Sequence, residues 1–112
     1  MLVSHIAICQ NRPVDAVEVA KALSSPTRVA ILHWLKDPAG NFVSRRDGDL
    51  SPRGVCASLI AEKVGVAQPT ASRHLDVLRR AELIETERVA GWAYHRRNED
   101  GLARARHALA DL

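Results

Sequence analysis

Gly65 restricts this chain more than any other residue. Ahead of it, Cys56, Ile60 and Val64 recur at i, i+4 and i+8 with Val55 and Leu59 beside them, which reads as a helix over about 54–64. A glycine just past the last periodic residue closes a helix, because it takes the left-handed conformation without strain. Val66-Ala67-Gln68 follows, and Pro69 restarts a helical pattern that runs to about residue 80, proline being favoured in a first turn where its missing N–H is no loss. Two short helices joined through a brief glycine turn make a helix-turn-helix, whose second helix can lie in the major groove of DNA.

The second of these helices has two distinct faces. Ala67, Ala71, Leu75 and Leu78 point one way, with Glu82 at the end of the same stripe. Arg73 and Arg80 lie near the centre of the opposite face, flanked by Thr70 and Val77 on one side and Ser72 and Arg79 on the other, with Gln68 at the amino end. Arginine reaches guanine and phosphate, glutamine reaches adenine, and hydroxyls serve either. Asp76 is the exception on this face, and its spacing suggests a pair with Arg80 at i+4. The period then changes. Leu83–Val89 and Trp92–Arg97 flank Ala90-Gly91, the pattern of a two-stranded hairpin. Arg88, His95, Arg96 and Arg97 make it basic, so it reads as a wing that can lie along a DNA backbone or minor groove.

The remaining elements fit one domain of 112 residues. A helix is expected over 14–23 from Ala16, Val19, Ala20 and Leu23, and a second over about 26–36, opened by Ser25 as cap and Pro26 at the first position. The second carries Val29, Ile31, Leu32, Trp34 and Leu35, apolar on more than one side, and is the candidate buried helix. Asp37-Pro38-Ala39-Gly40 ends it. Residues 37–54, with the Arg45-Arg46-Asp47-Gly48-Asp49 cluster, are the least regular stretch and long for a loop, and long loops are mobile or functional. A last helix spans 99–112. The expected fold is mainly α with a small β-hairpin (α+β): about five helices plus a two-stranded wing over 14–112, preceded by an arm at 1–13.

Composition narrows the function. Hydrophobic residues make up 46% and aromatics only 4%, so the core is aliphatic, which favours helices. The formal net charge is only +3, but 13 of the 16 basic residues are arginine, the side chain suited to bidentate phosphate and base-edge contacts. No apolar run approaches the ~20 residues a membrane span needs, so no membrane partner is expected. Met1–Cys9 lacks the pattern of a signal peptide, and two cysteines do not make a disulfide scaffold, so the expected compartment is the cytoplasm. A glycine-rich phosphate loop, Cys-x-x-Cys and His-Glu-x-x-His are all missing from the sequence, and Ser72, His74 and Asp76 on one helix do not converge on a substrate. The chain is not expected to be an enzyme.

Three segments carry a family resemblance. Leu23-Ser24-Ser25-Pro26-Thr27-Arg28-Val29-Ala30-Ile31-Leu32, the run Ile60–Ile84 and Gly91-Trp92-Ala93-Tyr94-His95-Arg96 resemble the second helix, recognition segment and wing of ArsR/SmtB-type bacterial repressors. The chain departs from the family pattern at 37–54, which is longer than the usual connection, and at the first and last turns. The resemblance implies a homodimeric winged-helix repressor that binds a palindromic operator on double-stranded DNA and is released by an inducer: a metal ion, a redox signal or a small molecule. It implies DNA contact by Gln68, Thr70, Ser72 and Arg73, with Arg96 on the wing; the charge pattern adds Arg79, Arg80, Arg88 and Arg97. A protein-interaction module using the same basic face is the alternative.

Two further features stay open between readings. Leu102, Ala105, Leu109 and Leu112 form an apolar seam on the last helix, suited either to a dimer interface shared with the first helix or to the internal core. The family resemblance brings a metal site into question at Cys56, with Cys9 and His5 as further ligands; a buried cysteine is otherwise a small hydrophobe. Asp100, His107 and Asp111 share one face of the last helix, but Arg104 projects from its middle and opposes a cation.

Overall fold

Four of the six helices begin where a short polar side chain accepts from a backbone N–H that has no partner in the first turn. In the computed structural model, which describes residues 15–112, Asp15 accepts from Val17 N at 2.9 Å and opens α1 (Ala16–Leu23). Ser25 accepts from Arg28 N at 3.2 Å and opens α2 (Pro26–Trp34). Asp37 caps a single-turn α3 (Pro38–Asn41), and Asn98 caps α6 (Glu99–Ala110) through Gly101 N at 3.0 Å. Between these lie β1 (Leu50–Ser51), β2 (Gly54–Cys56), α4 (Ala57–Val64), α5 (Gln68–Arg80), β3 (Ile84–Val89) and β4 (Trp92–Arg97).

The chain adopts the expected winged helix-turn-helix. Gly65 closes α4 at φ 86°, donating to the Ala61 carbonyl at 2.8 Å, and Val66 N reaches the same oxygen at 3.1 Å. α4 and α5 pack on each other and on α2 around Ile31, Leu59, Ile60, Leu75 and Leu78, all buried. The hairpin pairs Ile84 with Arg97 through Val89 with Trp92, and it turns at Ala90 (φ 50°) and Gly91 (φ 85°), the two left-handed residues a tight turn of this hand requires.

Residues 37–56 are more ordered than their sequence suggests. Asp37-Pro38 ends α2 but starts the one-turn α3, which sends Phe42 into the core edge-on to Trp34, at 6.5 Å between ring centroids. Residues 54–56 do not belong to the following helix. Val55 and Cys56 pair with His95 and Tyr94, and β1 pairs with β2, so the wing is part of a four-stranded antiparallel sheet in the order β1-β2-β4-β3. Gly54 makes this approach possible: at φ 140°, a β-carbon there would lie 2.5 Å from the His95 carbonyl oxygen. The two added strands and α3 account for the difference from five helices and a two-stranded wing.

The apolar seam of α6 does not form one surface. Leu102 (7% exposed) and Ala105 (3%) are closed into the core of the single chain, the internal-core alternative for these two residues, not a partner surface. They are taken up because α6 returns across α1. Leu109 is half-buried against the core, and Leu112 is 92% exposed.

Gly101 holds this return. A β-carbon at that position would collide with the Glu82 carbonyl oxygen, in the corner where Glu82 itself takes φ 62°. Helix propensity alone would make Gly101→Ala stabilising by about 1 kcal/mol. Steric overlap with backbone reverses the sign, and the expected loss is about 1–3 kcal/mol. Urea unfolding measures it; a variant as stable as the parent would contradict this packing.

Candidate nucleic-acid interface

α5 buries Ala71, Leu75 and Leu78 and exposes Gln68, Arg73, Asp76, Arg79 and Arg80, while Thr70 and Ser72 are half-buried. Two positions differ from the simple two-face reading. Ala67 is exposed ahead of the helix, and Val77 packs partly against the core. The helix is held from behind by Arg28, whose Nε donates to the Ala22 carbonyl at 2.7 Å and Nη2 to the Lys21 carbonyl at 2.9 Å. Its Nη1 lies 3.2 Å from His74 Nδ1. A guanidinium has no acceptor, so that ring nitrogen accepts and the proton of the neutral ring sits on Nε2. Burial first, and then the Arg28 charge, hold His74 below its usual pKa.

Between α5 and the wing lies a cleft of about 240 Å³, lined by Gln68, Ser72, Asp76 and Arg79 from the helix and Thr86, Arg88, Ala93 and His95 from the strands. Ala57, the first residue of α4, opens onto the same cleft. Four expected contact residues therefore converge: Gln68, Ser72, Arg79 and Arg88. Arg73 and Arg80 stand on the exposed face of α5. Arg73, Arg80 and Arg88 take part in none of the ion pairs among the described residues. Arg79 is partly engaged, since its Nη2 lies 3.3 Å from Asp76 Oδ1; Asp76 thus pairs at i+3 rather than with Arg80 at i+4. Thr86 and His95 complete the strand side of the cleft, and counting back from Ala90-Gly91 places them opposite one another. The Thr86 hydroxyl lies 2.9 Å from His95 Nδ1.

The two arginines at the base of the wing are committed elsewhere. Arg96 points to the sheet face away from α5, where Nε meets Glu85 Oε1 at 3.0 Å and Nη1 meets Glu87 Oε1 at 2.8 Å. Nη1 also donates to the Arg53 carbonyl at 3.1 Å, and Arg53 pairs with Glu87, completing an ion-pair ladder. The Arg96 hydrogen bond and the neighbouring Arg53 charge hold the Glu87 carboxyl below its usual range, against the opposing effect of desolvation. Arg97 has a side chain only 8% exposed, donating to the Leu32 carbonyl at 3.0 Å and to Glu99 at 2.7 Å. It ties β4 to α2 and α6, so its donors are engaged within the protein. Arg53 carried no sequence signal for its role, because its partner is 34 residues away.

Of the three candidate metal ligands, Cys9 and His5 lie outside the described residues. Cys56 is buried, with its sulfur 3.1 Å from the Ser58 hydroxyl. Among the described residues, no group of three or more His, Cys, Asp or Glu side chains is placed to hold a metal ion. On α6, Arg104 lies 3.5 Å from Asp100 and 3.6 Å from Glu82, within ion-pair reach of both, as expected for a salt-bridged surface. No described helix is long and apolar enough to cross a membrane.

Residues 23–87 match the helix-turn-helix domain family. The chain is 40% identical over 99 residues to the HTH-type transcriptional regulator YbzH of Bacillus subtilis, covering 88% of this chain and 95% of that one. It is 35% identical over 80 residues to the transcriptional repressor SdpR of the same organism, covering 71% and 72%. Among solved structures it resembles Mb0332 from Mycobacterium bovis, a homodimeric winged helix-turn-helix DNA-binding domain named as a possible ArsR-family regulator. The TM-score is 0.57 at 26% identity over 85% of this chain and 77% of that one.

The cleft makes stability depend on pH. Burial, followed by the Arg88 charge, pushes the His95 pKa down to about 4 from 6.5, with Arg79 adding to the shift and Asp76 opposing it. The unfolded chain therefore takes up this proton near pH 6.5 and the folded chain only near 4, so stability present above pH 6.5 is lost as pH falls between the two. Between pH 7.5 and 5 the expected loss is about 2 kcal/mol, with His74 contributing in the same direction. Denaturant unfolding at both values should show it, and His95→Gln should flatten the dependence. An unchanged slope in that variant would contradict the assignment.

Proposed function

Because the chain belongs to the ArsR/SmtB-type winged helix-turn-helix transcriptional regulators, we propose that it acts as a homodimeric repressor that reads a palindromic operator and leaves it when an inducer binds. The observation that carries this reading is the cleft between α5 and the wing, with Arg88 on its strand side and Arg73 and Arg80 on the exposed face of α5 beside it, all three outside the ion pairs of the described residues. The amino-terminal half of α5 lies in the major groove, where Gln68 and Arg73 meet base edges. Thr70, Ser72, Arg79 and Arg80 take neighbouring phosphates, and Arg88 follows the backbone from the wing. Arg96 and Arg97 act indirectly, by fixing the angle of the hairpin on the body of the protein.

One α5 reads only a few base pairs, so a two-fold partner is needed for an operator of useful length. With Leu102 and Ala105 turned inward, the surface for that partner reduces to the exposed Val17 of α1 and to Leu109 and Leu112 at the end of α6. The repressor SdpR and the homodimeric Mb0332 domain support the sign of regulation and the assembly. An inducer acts by favouring a dimer arrangement whose two α5 helices no longer match successive major grooves. Burial of Cys56 among aliphatic neighbours favours a core role for that thiol over a sensing one.

Selection from a random duplex library should recover a palindrome with half-sites about one helical turn apart. Against the recovered duplex, Arg73→Ala should lose roughly 5- to 150-fold in affinity at fixed salt, the range for one bidentate base contact, with the dimer unchanged by size-exclusion chromatography. Unaltered affinity would remove Arg73 from the interface. Recovery of no preferred sequence, with capture of a protein partner on the same face, would favour the interaction module instead.

A further inference from the structure

We propose that the loop 44–49 is a second phosphate-contacting element, placed on the far side of the wing from α5, with Arg46 as its contact. The proposal rests on the DNA-binding reading above and extends its footprint outward. The loop is built around the buried Asp49 carboxylate, which accepts from Ser44 Oγ at 2.6 Å, Arg45 N at 2.8 Å and Arg46 N at 3.0 Å. Its backbone is tied down on both sides: Cys56 N donates to the Asp49 carbonyl at 3.0 Å, and the Tyr94 hydroxyl donates to the Gly48 carbonyl at 2.6 Å. Gly48, at φ 92°, lies so close to the Trp92 indole that a β-carbon would come within 2.9 Å of it.

Strand direction fixes which end of the sheet this is. Leu50 is level with Val55 and Cys56 is level with Tyr94, so β2 runs toward the hairpin turn and β1 runs away from it. Gly48, just ahead of β1, therefore lies against Trp92, the first residue after the Ala90-Gly91 turn. Trp92 and Tyr94 project from the sheet face opposite Ala93 and His95, which line the cleft with α5. The loop thus flanks the tip half of the wing, opposite the recognition helix.

The charges on this loop are not equivalent. Arg45 is engaged with Glu62 of α4 at 2.7 Å. Asp49 is buried and satisfied by its three donors. Arg46 enters the hydrogen bonds of the knot only through its backbone, its charge adding a weaker coulombic pull on Asp49, and its exposed side chain takes part in none of the hydrogen bonds or ion pairs among the described residues. A guanidinium held on a rigid loop beside the wing tip loses little freedom when it meets a phosphate. Asp47, the remaining exposed charge, opposes that contact.

The test measures binding to a long mixed-sequence DNA duplex by fluorescence anisotropy across a salt series. Each phosphate contact contributes about 0.9 to the slope of log affinity against log salt, so Arg46→Ala should flatten the slope by about one. Arg46→Lys should keep it, and Asp47→Asn should strengthen binding about two- to fivefold at low salt. Arg106→Ala, an exposed charge on α6, should leave the slope unchanged. The Ala variant keeps the Arg46 backbone N–H, so the Asp49 knot survives it. An unchanged slope for Arg46→Ala beside a reduced one for Arg80→Ala, a phosphate contact on α5, overturns the loop contact and leaves the α5 reading standing. Equal flattening by Arg106→Ala overturns it as well, and a wild-type slope near zero overturns both readings.

Discussion

Strand β4 is the constraint on which the rest of the structure depends. It is hydrogen-bonded on both edges, to β2 and to β3, and its side chains fasten four different parts of the chain. Trp92 and Tyr94 hold the loop at Gly48, His95 meets Thr86 under α5, Arg96 braces the outer face, and Arg97 reaches α2. A wing of two strands alone would be marginal in water. Secured in this way, the hairpin becomes an extension of the helical core, and its angle to α5 sets the shape of the cleft.

The arginines divide by partner. Arg28, Arg53, Arg96 and Arg97 spend their donors on carbonyls and carboxylates of the protein itself. Arg46, Arg73, Arg80 and Arg88 are exposed without ion-pair partners among the described residues, and they lie on α5, on the wing or beside it. A modest net charge of +3 can therefore coexist with a directional basic surface, because glutamates neutralise Arg53, Arg96 and Arg97 and leave Arg73, Arg80 and Arg88 outside the ion pairs of the described residues. Charge pattern alone does not reveal this division: Arg88 and Arg96 read alike in the sequence.

What was legible in the sequence depended on local physics. The 3.6 period of α5, the Gly65 cap, the Ser25-Pro26 start and the Ala90-Gly91 turn are all signals within a few residues, and the structure follows them. β1 and β2 are two and three residues long and exist because the β4 edge is available some 40 residues later, so no local period announces them. Leu102 and Ala105 show the same limit. Helical spacing identified their face, but whether the face met its own core or a partner depended on the return of α6 across α1. For the candidate site, the residues of α5 were readable from their outward face. The roles of Arg53, Arg96 and Arg97 were set by partners distant in sequence.

On the proposed reading, the free arginines meet DNA while the structural ones only position them. Titrating the protein with duplex DNA while following the Nε–Hε signals of its arginines by NMR tests this most directly. Large shifts are expected at Arg73, Arg80 and Arg88, with near-constant signals at Arg28 and Arg97. Shifts concentrated at Arg97 with Arg73 unmoved would contradict it.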